Sequence, residues 1–174
     1  YFYGYNRTTA EGINDSGRFI GYGPTGDGIH GFLMSTDMGQ CRPKGINNRG
    51  QVVGWSDSNF IYQNGVFDYL PTSYWGSEAI AINDSGVAAG YWMTNCDVEC
   101  ISEVCMFRND SLIILGTPAG YYAEATDINN RGQIVGWYCM GDNCTEMRGF
   151  IWNDGAWTTI PTLGGTSSEA HAIN

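Results

Sequence analysis

The stretch Ile13-Asn14-Asp15-Ser16-Gly17-Arg18-Phe19-Ile20-Gly21-Tyr22 sets the pattern for the chain. It returns as Ile46-Asn47-Asn48-Arg49-Gly50, Ile82-Asn83-Asp84-Ser85-Gly86 and Ile128-Asn129-Asn130-Arg131-Gly132, and a fifth copy begins at Ala172-Ile173-Asn174. Successive Ile-Asn pairs lie 33, 36, 46 and 45 residues apart. Periods of that size belong to solenoids, propellers and arrays. Asn-Asp and Asn-Asn tolerate left-handed backbone, and Gly17, Gly50, Gly86 and Gly132 supply positive φ without steric cost. Each copy therefore reads as strand, tight turn, strand. A second glycine follows at a fixed place (Gly21, Gly54, Gly90, Gly136), always before an aromatic. A glycine inside a strand marks a bulge or a close backbone approach.

Most units carry a second hairpin. Asn153-Asp154-Gly155 separates two apolar runs in the last unit, and Gln63-Asn64-Gly65 does so in the second. Asp-Gly and Asn-Gly in that setting are the strongest short-range hairpin signals. The third unit turns at Arg108-Asn109-Asp110, and the first has a poor last strand, interrupted near Cys41 and Pro43. Two hairpins make four short strands per period of about 40–45 residues, which is blade arithmetic. The expected fold is all-β and β-propeller-like, with four blade-like repeats of about four short antiparallel strands. The units are read as residues 10–43, 44–79, 80–124 and 125–171, with 1–9 and 172–174 as terminal strands. No stretch keeps helical apolar spacing.

Composition narrows the function. Hydrophobic residues make up 43% of 174, too many for a disordered tail. No apolar run reaches the ~20 residues of a membrane span, so membrane insertion is not expected. The first residue is Tyr1, which reads as a processed or partial chain. A net charge of −10, with Lys44 the only lysine, repels phosphate backbones and speaks against nucleic acid.

Six cysteines, an even number, point to disulfides and secretion. Cys139 and Cys144 flank one loop between hairpins, and Cys96 and Cys100 occupy the equivalent loop of the third unit. If each pair staples its own loop, Cys41 is left for Cys105; Cys96 with Cys105 is the other option. The spacing of Cys96, Cys100 and Cys105 lacks the paired CxxC of a zinc ribbon, so no metal is expected.

Little in the chain resembles catalysis. His30 and His171 are the only histidines, and no nucleophile elbow, paired zinc histidines or P-loop occurs. No enzyme activity and no cofactor are expected. Five Asn-x-Ser/Thr sequons are present; Asn14 and Asn83 serve turns, while Asn6 and Asn143 are the better glycosylation candidates. The connector aromatics Tyr74, Trp75, Tyr121 and Tyr122 are candidates for stacking on sugar rings or anchoring a partner, against the plainer reading of a small core beneath a loop.

These motifs resemble the HAF repeat of extracellular proteins. Ala81-Ile82-Asn83-Asp84-Ser85-Gly86, His30-Gly31-Phe32 and Thr159-Ile160-Pro161-Thr162-Leu163-Gly164-Gly165 carry the likeness, which covers nearly the whole chain. Of the His-Ala-Phe element the histidine is kept only once. The resemblance implies secretion or surface display and a propeller-like β fold, and it transfers no catalytic residue.

The leading expectation is an extracellular, non-enzymatic structural repeat protein, a subunit of a surface assembly or filament. Tyr1, Phe2, Tyr3, Tyr5 and Ile173 are its assembly strands, either closing a ring or pairing with neighbouring subunits, and the main partner is the chain itself. The alternative is a secreted propeller module that binds carbohydrate or a cell-surface protein. A slice of a longer array is a third reading of the two ends.

Overall fold

Each Ile-Asn-x-x-Gly copy forms the turn of a hairpin. The backbone N–H of Asn14, Asn47, Asn83 and Asn129 bonds the carbonyl four residues on, and the glycine N–H bonds back to the Asn carbonyl at 2.9–3.0 Å. Gly17, Gly50, Gly86 and Gly132 have φ of 76° to 84°, where a Cβ would strain the backbone. The computed structural model describes residues 7–71, 76–94, 100–109, 111–141 and 144–174.

Four four-stranded antiparallel sheets follow in chain order, each a simple up-and-down meander. The first holds β1 (Thr9–Ile13), β2 (Phe19–Pro24), β3 (Ile29–Leu33) and β4 (Thr36–Gly39). The second holds β5 (Arg42–Ile46), β6 (Val52–Trp55), β7 (Asn59–Gln63) and β8 (Val66–Tyr69). The third holds β9 (Ser77–Ile82), β10 (Ala88–Thr94), β11 (Ile101–Arg108) and β12 (Ser111–Gly116). The fourth holds β13 (Ala123–Ile128), β14 (Ile134–Met140), β15 (Glu146–Asn153) and β16 (Ala156–Ile160). No helix occurs among the described residues. The fourth strand of the first sheet does form, despite the weak signal there. Met34 enters the left-handed region (φ 56°) to turn the chain into β4.

The sheets stack face to face, which explains strands that are apolar on both sides. Val52 packs with Ile20, Leu33 and Met38 of the first sheet. Its neighbour Val53 packs with Ala88, Cys105 and Phe107 of the third. Ala89, Val104 and Met106 then meet Ile134, Tyr138 and Phe150 of the fourth. Phe60, Phe107 and Phe150 are fully buried, each worth about 1.5–3 kcal/mol of transfer free energy. β5 lies against β1, β2 and β3, and β9 and β13 repeat that contact one sheet further on.

No comparable packing joins the first sheet to the fourth among the described residues, so the four sheets do not form a closed propeller. After β16 the chain runs back along the fourth sheet, where a fifth first strand would lie. There the Ser168 N–H bonds the Met147 carbonyl at 3.0 Å, and the Thr126 hydroxyl bonds the Ala170 carbonyl at 2.6 Å.

The second-strand glycine has a clear cause. A Cβ on Gly21, Gly54, Gly90 or Gly136 would collide with the carbonyl oxygen of Thr9, Arg42, Glu78 or Glu124 on the adjacent first strand. Opposite each glycine the first strand bulges, the register slipping by one residue at Glu11, Lys44, Ile80 and Thr126. A bulge re-aims a side chain. All four of these residues line one trough of about 410 Å³ between the first strands, together with His171.

Candidate functional site

The motif asparagines do two jobs at once. Within its own turn, each Oδ1 accepts the backbone N–H groups two and four residues on, at 2.9–3.1 Å. Across to the next turn, each Nδ2 donates to the backbone carbonyl of the following motif asparagine. The steps are Asn14 to Asn47 at 3.0 Å, Asn47 to Asn83 at 2.9 Å, Asn83 to Asn129 at 3.0 Å and Asn129 to Asn174 at 3.4 Å. All four asparagines are buried; the first three bonds are buried too, and the last, to Asn174, is part-buried. Truncating the side chain breaks both jobs, and exchanging its nitrogen for oxygen breaks the second alone.

The next residue of each motif builds a second ladder beside the first. Backbone N–H groups of Asp15, Asn48 and Asp84 bond Oδ1 of Asn48, Asp84 and Asn130 at 2.8–2.9 Å. The Asn48 amide reaches carboxylates on both sides, Asp15 at 2.8 Å and Asp84 at 3.1 Å, and the Asn130 amide reaches Asp84 at 2.8 Å. Aspartate and asparagine alternate, so no carboxylate meets another. The Asn48 backbone N–H, then the Asn130 amide, hold the Asp84 carboxyl below its ordinary pKa. The five motifs frame one open basin of about 580 Å³. Its polar groups are largely engaged with one another.

The trough on the neighbouring side of the first strands carries charge. Lys44 Nζ pairs with Glu78 at 3.4 Å, between the second and third sheets. Burial, then the nearby Glu78 and Glu124, pushes the Tyr91 phenol up to about 12. Burial, then Glu78, raises the Glu124 carboxyl, with Lys44 opposing. One lysine thus offsets two partly buried carboxylates from adjacent sheets. Among the described residues, no group of three or more His, Cys, Asp or Glu is placed to hold a metal ion.

A third cluster sits in the first sheet. His30 Nδ1 meets Asp37 at 2.9 Å, and Nε2 approaches Asp27 at 3.3 Å, an ion-pair contact without hydrogen-bond direction. The Asp37 bond is the main reason the His30 pKa is raised. Asp27 is lowered first by the Thr25 hydroxyl, and Asp37 first by the Gly39 N–H. A raised histidine stabilises below its unfolded pKa of 6.5 and loses that contribution as pH rises through the folded value. Lowered aspartates stabilise above 3.8 and lose it as pH falls. The cluster contributes most between about pH 4 and 6.5. The urea midpoint is expected to fall between pH 6 and 8, and His30→Gln to flatten that slope; an equal slope in both proteins refutes the assignment.

The cysteines part company. Cys139 and Cys144 form a disulfide, with Cα atoms 4.7 Å apart. Cys100 is disulfide-bonded as well, while Cys96, named as its partner from sequence, lies outside the described residues. The Cys41–Cys105 pairing does not form. Both are free and buried, Cys41 in the interface of sheets one and two and Cys105 in that of sheets two and three. Burial pushes their thiols up to about 11 and about 12, so they pack as small apolar groups.

Of the connector aromatics, Tyr121 and Tyr122 are half-buried. Their carbonyls accept the Ser102 and Cys139 N–H groups at 2.7 and 2.8 Å, which ties this connector to the third and fourth sheets. Tyr74, Trp75, Asn6, Asn143, Tyr1, Phe2, Tyr3 and Tyr5 lie outside the described residues. Ile173 is half-buried, its N–H on Asp127 Oδ2 at 2.8 Å.

One surface breaks the repeat. On the first sheet Ile13, Phe19 and Met34 are exposed at 70%, 39% and 42%. Their counterparts in the third sheet, Ile82, Ala88 and Phe107, are buried, and so are Val52 and Tyr62 in the second and Ile128 and Ile134 in the fourth. Each of those faces is covered by the preceding sheet. Comparison with protein-family models, with curated proteins and with solved structures returns no match.

Proposed function

We propose that this chain is a non-enzymatic structural repeat protein of the extracellular or cell-surface space, a subunit of an assembly or filament joined end to end through its terminal strands. Its sheets act as blades of a propeller-like arc around the trough. The exposed face of Ile13, Phe19 and Met34 carries the reading, because the same positions in the following sheets are covered by a sheet of this kind. A second copy of the chain is the partner that offers such a sheet, and a head-to-tail contact of that type extends as a filament where its rotation does not close. The Cys139–Cys144 disulfide and the HAF-like motifs support a place outside the cell.

Light scattering over a concentration series tests this. The parent chain is expected to gain mass with concentration, and Ile13→Asp with Phe19→Asp to stay at the mass of one chain while keeping its β-sheet circular dichroism. A parent chain of single mass throughout, or a variant that still assembles, overturns the proposal.

A further inference from the structure

The aromatic after the second-strand glycine has different surroundings in one sheet. Tyr22, Tyr91 and Trp137 are half-buried, whereas Trp55 is 45% exposed. The Arg42 guanidinium lies over the Tyr22 ring, 5.4 Å from its centre. Trp55 instead edges a groove of about 240 Å³ between the first and second sheets. Ile29, Gln40, Cys41, Arg42, Ser56 and Asp57 supply the rest of its wall.

The groove pairs one apolar plate with polar groups that retain bonding capacity. Among the described residues, neither Arg42 nor Asp57 is in an ion pair. Gln40 donates its amide to the Asp27 carbonyl at 3.0 Å, and its own side-chain oxygen remains an acceptor. A pyranose ring has the matching chemistry. One of its faces is a patch of C–H groups that an indole covers, and its rim is a row of hydroxyls. A carboxylate accepts those hydroxyls, a guanidinium donates to them, and a side-chain amide does either. Size and charge narrow the choice. The volume falls below the ~300–1,000 Å³ of sites that enclose a drug-sized ligand, so one ring fits and the rest of a glycan stays in solvent. A net charge of −10, with Asp57 in the wall, disfavours an acidic sugar.

We propose that the Trp55 groove binds one neutral pyranose residue, at the end or a branch of a glycan. The site uses no part of the face argued above to join copies, so it stands whether or not the chain assembles.

The test titrates the full 15N-labelled chain with methyl glucoside, methyl galactoside and methyl mannoside. The indole N–H signals of the six tryptophans are followed, and the Trp55 signal is assigned by its loss in Trp55→Phe. One of the glycosides is expected to move the Trp55 signal in a saturable way. Trp55→Ala and Asp57→Ala are expected to weaken binding at least about tenfold, and Trp55→Phe only about threefold, since a smaller ring still covers the C–H face. Binding in the alanine variants is followed on backbone amide signals of the groove wall. No movement of the Trp55 signal at glycoside concentrations up to about 50 mM overturns the proposal. So does unchanged affinity in Trp55→Ala.

Discussion

Gly90→Ala is expected to leave the chain unable to hold its third sheet. The added methyl would collide with the carbonyl oxygen of Glu78 and press on Ala79, both backbone of β9. That strand cannot retreat, because β9 is packed against the second sheet on one side and β13 on the other. Relief requires the bulge at Ile80 to open, which breaks the pairing of β9 with β10. The loss should exceed about 4 kcal/mol, a large share of the ~5–15 kcal/mol that holds a domain of this size together. Gly132→Ala separates this clash from ordinary backbone strain. Gly132 has a φ of 80° and no atom within 4 Å of where the methyl would go. It should cost only about 1–2 kcal/mol, the left-handed penalty of a residue with a Cβ. Denaturant midpoints compare the two; a parental midpoint for Gly90→Ala would show that β9 yields.

Asn83→Ala is expected to cost about 3–5 kcal/mol, the upper range for a single buried polar side chain. Oδ1 of Asn83 accepts the Ser85 and Val87 N–H groups, both at 3.1 Å, and the Ser85 hydroxyl at 2.7 Å. Its Nδ2 serves the Asn129 carbonyl at 3.0 Å. Alanine leaves the buried Val87 N–H and Asn129 carbonyl without a partner, while the exposed Ser85 groups turn to water. Asn83→Asp isolates the link between sheets. It keeps the acceptor and sets a carboxylate oxygen against the Asn129 carbonyl, which raises the new group's pKa. A raised acid is least harmful when protonated, so this variant should regain stability as pH falls. A loss that stays constant with pH would mean that the amide bond across the turns contributes nothing. Asn129→Ala should cost less, because its bond to Asn174 is the longest of the four at 3.4 Å.

Both kinds of residue, the close-packed glycine and the turn asparagine, stand out in the chain before folding. The motif glycines and the second-strand glycines are legible, because left-handed turns and close backbone approach admit few other residues. Asn64-Gly65 and Asp154-Gly155 announce their hairpins, and all four residues have positive φ. The trough is not legible. Glu11, Lys44, Ile80 and Thr126 share no chemistry; what they share is the bulge, a property of pairing against a glycine on another strand. The sulfur pairing fails for a related reason. Cys41 and Cys105 look complementary by elimination, yet stacking places them in different interfaces. The Asp–Asn ladder is written in the motifs, but its meaning needs the turns side by side. The His30 cluster gives no local signal beyond a histidine near two aspartates.

The alternation of Asp15, Asn48, Asp84 and Asn130 bears on how such a chain can lengthen. Copying a single motif-bearing segment within the gene would set Asp beside Asp, with two negative groups at bonding distance, or Asn beside Asn, with no carboxylate between them. Copying two segments together preserves the order. Lengthening by two segments at a time keeps every carboxylate between amides.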